Sequence, residues 1–282
     1  MIRGSVGLSV LLWSSAAAAE FRPVADRPYR YDTVETRTAD GMTRRFHATR
    51  TVLFHKTETG YDVTVVLDAV DEQAGDDVGA MFRAATSALL HRPLRYRVDP
   101  SGTILGVADA DAAIALIADA IERVSTQATR RGDARVLASP LRTLSPERKA
   151  AMLRSILSPL IAGPAADRPP GRRPVTLPSR PPLALGTALI GVETLTRDPS
   201  GIVTIDIQAS GQVDTAPPRE THGSELAVPV ASPSAMIHTL RNVDSTTGLV
   251  IESDDMAETR VRHGDATHTA RVETTVTLTL AP

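Results

Sequence analysis

The chain reads as an α+β protein, mostly antiparallel β: a large curved sheet or half-barrel built from two related β halves, with about three helices packed on it. Three observations predict this. Apolar residues alternate with polar ones over several long stretches, as in half-buried strands. Turn signals recur along both halves: Asp40-Gly41, Thr59-Gly60, Asp99-Pro100-Ser101-Gly102, Asp198-Pro199-Ser200-Gly201, Asp244 to Gly248 and Gly264-Asp265. Three segments instead carry apolar stripes at helical spacing.

In chain order, the first element is an address. Arg3 supplies a positive start, Val6 to Trp13 is apolar, and Ala17-Ala18-Ala19 fits a small-x-small cleavage pattern. Residues 1–19 are therefore expected to be a signal peptide cleaved near Ala19, which leaves an exported chain, most simply periplasmic. The apolar run is too short to span a bilayer comfortably, and no later segment reaches transmembrane length.

Residues 20–158 form an N-terminal β-rich half with helices. Tyr61, Val63, Val65, Leu67 and Ala69 alternate as one strand face. The first helix is expected over about 77–91, with Val78, Met81, Phe82, Ala85 and Leu89 on one side. The second is expected over about 109–131. Asp109 and Asp111 lie near its start, Ile114, Ile117, Ile121, Val124 and Ala128 form its stripe, and Arg130, Arg131 and Gly132 end it. The third opens with Ser145-Pro146-Glu147, an N-cap followed by proline at the first helical position. It is lined by Met152, Leu153, Ile156, Leu157 and Leu160, and Pro159 kinks or ends it.

Residues 159–182 hold eight of the twenty prolines together with Arg168, Arg172, Arg173 and Arg180. Such a segment cannot be ordinary helix or central strand, so it reads as a linker. Residues 183–282 form a C-terminal β half. There Val203, Ile205, Ile207 and Ala209 oppose Thr204, Asp206 and Gln208, and Ala270, Val272, Val276, Leu278 and Leu280 oppose a Thr-rich face.

The halves share short words in the same order. Val34-Glu35-Thr36-Arg37-Thr38 before Asp40-Gly41 matches Val192-Glu193-Thr194-Leu195-Thr196 before Asp198-Pro199. Arg97-Val98-Asp99 matches Arg241-Asn242-Val243-Asp244. The reading is an internal duplication, in which the halves would share one continuous sheet. With the signal, the intervening helices and the hairpin from Val243 to Ile251, the chain resembles uncharacterised exported bacterial β-rich proteins. More loosely, it resembles the lipoprotein-carrier half-barrels of the bacterial envelope. That resemblance implies a curved sheet around a hydrophobic hollow closed by helices, and a lipid or envelope component as partner. It assigns no contact residue.

Composition excludes much. The 282 residues contain no cysteine, which removes disulfides, thiolate nucleophiles, Fe–S clusters and cysteine-based zinc sites. A net charge of −2 argues against a nucleic-acid binder. The only lysines are Lys56 and Lys149, and neither follows Ser or Thr at the spacing of a Ser-x-x-Lys motif. Nothing aromatic follows Tyr96, so the C-terminal half can offer no stacking surface.

No residue set compels a catalytic, cofactor or metal assignment. The histidines are His47, His55, His91, His222, His238, His263 and His268. His47 and His55 share a strand face but stand roughly 27 Å apart at strand rise, too far for one metal. His263, Asp265 and His268 flank a turn and read as exposed polar residues. His222-Gly223-Ser224-Glu225 lacks the Gly-x-Ser-x-Gly elbow. Glu35 and Glu193, at matching places in the repeat, could pair for acid–base work, but read as solvent-facing strand residues. Asp71-Glu72 and Asp76-Asp77 lack calcium-loop spacing, and the second pair suits a helix start. The function expected is a non-enzymatic binder of a hydrophobic or envelope-derived ligand. The rivals are a structural or interaction module using the Arg-Pro segment, and a hydrolase without recognisable motif.

Overall fold

A computed structural model describes residues 21–74, 76–127, 139–163, 168–177, 188–212, 234–263 and 266–281. The expected signal peptide, the end of the second helix beyond Gln127, the His222 loop and the Gly264-Asp265 turn lie outside the described residues. One antiparallel sheet of eleven strands dominates, in the order β5-β4-β3-β2-β1-β11-β10-β9-β8-β7-β6. The strands are β1 Pro28–Ala39, β2 Met42–Thr57, β3 Gly60–Gln73, β4 Pro93–Val98, β5 Ile104–Val107, β6 Gly171–Leu177, β7 Leu189–Arg197, β8 Ile202–Gln212, β9 Ser234–Asp244, β10 Leu249–His263 and β11 Ala266–Leu280. The two halves are thus two meanders, fused where β1 pairs with β11 from Tyr29↔Leu280 to Ala39↔Ala270.

The turns work as their chemistry dictates. Asp99 Oδ1 accepts from the Ser101 and Thr103 N–H groups and from the Ser101 hydroxyl, and Asp198 Oδ1 accepts from Ser200 Oγ and the Ile202 N–H. Gly102 and Gly201 take φ of 85° and 89°, the region that only glycine occupies without cost. The matched hairpins do not occupy equivalent places. Three strands separate the Asp40 turn from the Asp99 turn, whereas two separate the Asp198 turn from the Asp244 turn. The first shared word lies on β1, fifth from one edge, and on β7, second from the other; the second lies on β4, second from its edge, and on β9, fourth from its own.

Three helices follow the predicted starts. Helix α1 (Asp77–Ser87) is capped by Asp76, which accepts from the Gly79 N–H at 3.0 Å. It ends short of residue 91 because β3 captures the following turn: the His91 N–H donates to Leu67 O at 2.8 Å with His91 at φ 57°. Helix α2 spans Ala110–Gln127. Helix α3 (Pro146–Leu157) starts on the Ser145 cap and passes at Pro159 into a 3-10 turn, Ser158–Leu160. None of the described helices is long and apolar enough to cross a membrane.

The segment read as a linker contains a strand: Gly171–Leu177 is β6. Proline removes a ladder donor, so a proline-bearing strand belongs at an edge. Pro174 sits in β6, an edge strand paired only with β7.

Alternation decides which face is buried. Tyr29 and Tyr31 on β1, Val52 and Phe54 on β2, Val63 and Val65 on β3, Tyr96 on β4 and Val276 and Leu278 on β11 form one core with Ile114, Leu153, Leu157 and Leu160 of the helical layer. A bulge opposite Thr49/Arg50 adds a residue to β3, so past Leu67 the inward residue is Val70, opposite Ala48, and not Ala69. The rings of Phe21, Tyr29, Phe54 and Tyr61 meet edge-on, with centroids 5.4–6.4 Å apart. Tyr96 Oη donates to Leu153 O at 3.0 Å and fastens α3 to the sheet.

One edge is laced together. Phe21 packs against Gly102, the next residue Arg22 donates its N–H to Thr247 O at 2.9 Å, and Ile161 bridges Leu249 while also packing on Gly102. A flat sheet would hold β4 and β10, five positions apart in the strand order, about 24 Å from each other.

Leu157 is fully buried. Leu157→Ala is expected to cost about 2–5 kcal/mol in urea unfolding. Tyr96→Phe, which removes the hydroxyl donor to the Leu153 carbonyl, should cost about 1 kcal/mol.

Candidate functional site

The strand register places polar side chains in rows across the inner, helix-facing side of the sheet. One row runs Arg173, Glu193, Ile207, Thr239, Asp255, Thr274, Glu35, Phe46 and Glu72 from β6 to β3. The next contains Arg241, Ser253, Val276, Thr33 and Ala48. These rows lie between the aromatic core of the first half and an aliphatic patch of the second, formed by Leu189, Ala209 and Ala235 with Ile237, Ala257 and Leu177.

Two arginines in this band lack full neutralisation. Arg50 donates from Nη1 to Thr33 Oγ1 at 2.9 Å and lies over the Tyr31 ring, 5.1 Å from its centroid. No described carboxylate forms an ion pair with it. Burial lowers its pKa from the usual arginine value, opposed by the nearby Tyr31, Tyr96 and Asp32. Arg241 has a buried Nε without a hydrogen-bond partner, and its Nη2 stands 3.7 Å from Asp255 Oδ1. Asp255 is also held by Ser253 Oγ, which donates to it at 3.0 Å. Thr33, which holds Arg50, and Arg241 share a row three strand spacings apart, about 14 Å between backbones, and both side chains project into the same band. Arg241 thus approaches one carboxylate at 3.7 Å only, Arg50 has no ion pair with a described carboxylate, and both lie beside apolar surface. An anionic head attached to an apolar body suits that arrangement.

Glu193 differs from its expected place in solvent. It is 3% exposed and held by two arginines: Arg168 Nη2 donates to Oε2 at 3.0 Å, and Arg173 Nε lies 2.9 Å from Oε1. The reason is register, because Glu193 sits directly opposite Arg173 and faces inward beside buried Leu195. Glu35 is partly buried on the same row and pairs with Arg37. Five strand steps separate the two glutamates along that row, so they form no acid–base pair. Two of the four arginines of the Arg-Pro segment are engaged with Glu193 in the chain itself, which leaves that segment less basic toward an outside partner.

The outer face is a polar ladder. On it His47 Nε2 lies 3.3 Å from Asp32, His55 Nδ1 2.8 Å from Asp26 and His238 Nε2 3.1 Å from Asp206, while at the far end of β11 His268 Nδ1 lies 3.1 Å from Asp40. His47 and His55 stay apart along β2, as their spacing requires. Thr49 donates its hydroxyl to Asp32 at 2.6 Å, not to His47, so this cluster has the parts of a triad in the wrong order for a nucleophile. Burial alone would raise the Asp32 pKa, but hydrogen bonds from Arg30, Thr49 and His47 overcome it and bring it down to about 2. Glu72 is turned toward the Ala74 N–H and Arg83, and Asp76 caps α1. Among the described residues no group of three or more His, Asp or Glu could hold a metal.

The helices cover a filled core. Tyr96, Phe54, Ile114, Leu153, Leu157 and Leu160 are all less than 2% exposed beneath them. The hollow at the helices, of about 550 Å³, opens outward between α1 and α2 along Ala80, Ala84, Ala88 and Ala120.

No family model, curated protein or solved structure matches the chain.

Two outcomes check this geometry. The folded-state pKa of Asp32 lies below its unfolded value, so its contribution is present above about pH 4 and is lost as pH falls toward 2. Asp32→Asn should therefore flatten the acid limb of a stability-versus-pH curve between those values while lowering stability at pH 7. Glu193→Leu removes one partner from a largely buried ion pair and should cost about 3 kcal/mol in chemical denaturation. Full stability in that variant would show that the Arg168 and Arg173 contacts carry no weight.

Proposed function

We propose that the protein is an exported, non-enzymatic binder of an amphipathic anionic ligand from the cell envelope. An acyl chain with an acidic head would rest on the inner face of a half-barrel, beside the helical layer and not beneath it. The observation that carries this reading is the pair of under-neutralised arginines, Arg50 and Arg241, in a band bordered by apolar surface. A half-buried guanidinium with little or no counter-charge is costly, and a bound anion that supplies the missing charge offsets that cost.

Other features support it. The laced edge, where Phe21 and Ile161 tie Gly102 toward Thr247 and Leu249, favours a sheet rolled toward its inner face. The filled core under α1, α2 and α3 moves the site away from the sheet–helix interface. The signal-like start and the absence of cysteine suit export to a compartment where the fold relies on sheet pairing and packing. A site of this kind needs no nucleophile, and its work is charge pairing plus apolar contact.

The test is a comparison of a long-chain carboxylic acid with the alcohol of equal length, both as fluorescent probes, on the purified full chain. The acid should bind at least tenfold more tightly, a difference of about 1.4 kcal/mol. Arg50→Met and Arg241→Met should each erase most of that preference while leaving the circular dichroism spectrum unchanged. Equal binding of acid and alcohol, or no binding of either with no lipid in native mass spectra, would overturn the proposal.

A further inference from the structure

On the outer face of the second half, the His238–Asp206 rung of the polar ladder is extended by two methionines that the proposed ligand does not use. The strands of this half present mainly Thr, Asp, Asn, Gln, Glu and Arg to solvent, as an antiparallel sheet with one wet face should. Apolar residues interrupt that pattern at Ile190, Val192 and Leu240, and two methionines interrupt it beside a histidine. Met256 on β10 is directly opposite His238 on β9, and Met236 stands two residues from His238 on the same face. Adjacent positions of this kind have Cβ atoms about 4.5–5.5 Å apart across the ladder, with diagonal neighbours within reach of long side chains. All three side chains line one hollow of about 370 Å³, whose other walls include Gln208 and Ser210 of β8. Met236 is 41% exposed, so the hollow is open to solutes.

The imidazole is oriented. His238 Nε2 lies 3.1 Å from Asp206 Oδ1. A carboxylate only accepts, so in the neutral ring Nε2 carries the proton and Nδ1 holds the free lone pair. A metal-binding histidine is commonly held this way, with its second nitrogen on a carboxylate that fixes the ring and raises its basicity. Two thioethers and one imidazole form a soft donor set with no charge of its own. Hard cations such as Mg²⁺ or Ca²⁺ require oxygen ligands, and Zn²⁺ favours thiolate, imidazole and carboxylate. Thioethers select monovalent copper and, by the same softness, silver. The chain has no cysteine to compete for such an ion.

We propose that Met236, His238 and Met256 form a three-coordinate site for a soft monovalent cation, Cu(I) or Ag(I), with Asp206 as the positioning residue. The site is on the face opposite Arg50 and Arg241 and stands independently of the ligand proposed there. It binds the ion without a change of oxidation state.

The test uses Ag(I) on the full chain labelled at the methionine methyl groups. One equivalent should shift the Met236 and Met256 resonances and leave Met42, Met81 and Met152 in place. Under competition with a calibrated Cu(I) chelator, Met236→Leu and Met256→Leu should each weaken binding at least tenfold, and their volume match keeps the fold. Asp206→Asn should weaken it by about 10–100-fold while preserving the stoichiometry. Shifts spread evenly over all the methionines, unchanged affinity in both leucine variants, or Zn(II) competing at equal concentration would each overturn the assignment. The wild-type methyl shifts decide the matter even where a variant fails to fold.

Discussion

The antiparallel pairing of β1 with β11 is the constraint on which the rest of the structure depends. Eleven consecutive residue pairs, from Tyr29 to Ala39, join the first strand of the chain to the last. Without that seam there are two open meanders, each with one more unpaired edge. With it, the inner rows run unbroken from Arg173 on β6 to Glu72 on β3, and the helical layer of the first half reaches residues of the second. Leu249 on β10 belongs to the same core as Tyr96 on β4 through Leu157 and Leu160. Closing a contact between such distant parts of the chain carries a large loop entropy, so the seam should form late in folding.

The two faces of this sheet separate two kinds of electrostatics. On the outer face the described pairs of His47, His55 and His238 with aspartate are at least partly in water, where such pairs contribute little to stability. On the inner face the same kinds of groups are costly to bury, and the chain answers in two ways. Glu193 receives two arginines and is nearly neutralised. Arg50 receives a hydroxyl and an aromatic face, and Arg241 a distant carboxylate. Neither arrangement is complete in hydrogen bonds, because Glu193 Oε1 and Arg241 Nε are both buried without a hydrogen-bond partner. The contrast is one of counter-charge: two arginines reach Glu193, whereas Arg50 has no ion pair with a described carboxylate and Arg241 has one at 3.7 Å.

Much of this was legible in sequence because it is local. Period-two alternation located Tyr61 to Leu67, Val203 to Ala209 and Val276 to Leu278, and Ser145-Pro146 marked the start of α3. The Asp-Pro-Ser-Gly turns behave as their side-chain chemistry requires. Non-local facts were not legible. Whether Glu193 faces water or core depends on what its inward face meets, and alternation reports a face without naming its neighbour. The bulge at Thr49/Arg50 moves Val70 inward with no sequence mark. The β6 strand hides in a proline-rich segment because an edge position tolerates what a central one forbids. Arg50 on the inner face is likewise invisible in a chain with so many arginines. The Met236–His238–Met256 group has half a signature, since residues 236 and 238 share a face under period two. Its third member requires the β9–β10 register.

The uneven distribution of aromatic residues has a structural counterpart. All rings of the described residues fall between Phe21 and Tyr96; six of the eight belong to the core around β1 to β4, and Phe46 and Phe82 pair with each other. Large rings fill the space between sheet and helices, which is why that layer is dense. The apolar residues that the second half buries are all aliphatic: Leu249, Val276 and Leu278 join the first core, and others form two smaller clusters, one around Val203, Ile205 and Val243 and one around Leu189, Ala209 and Ala235. Small side chains and glycines let neighbouring groups close in: a Cβ on Gly191 would meet Gln208 O at 2.0 Å, and one on Gly211 would meet Leu189 at 3.0 Å. The same absence of aromatics that rules out stacking recognition in this half thus leaves its packing to close contact between strands, with Leu189, Ala209 and Ala235 each 5% exposed or less.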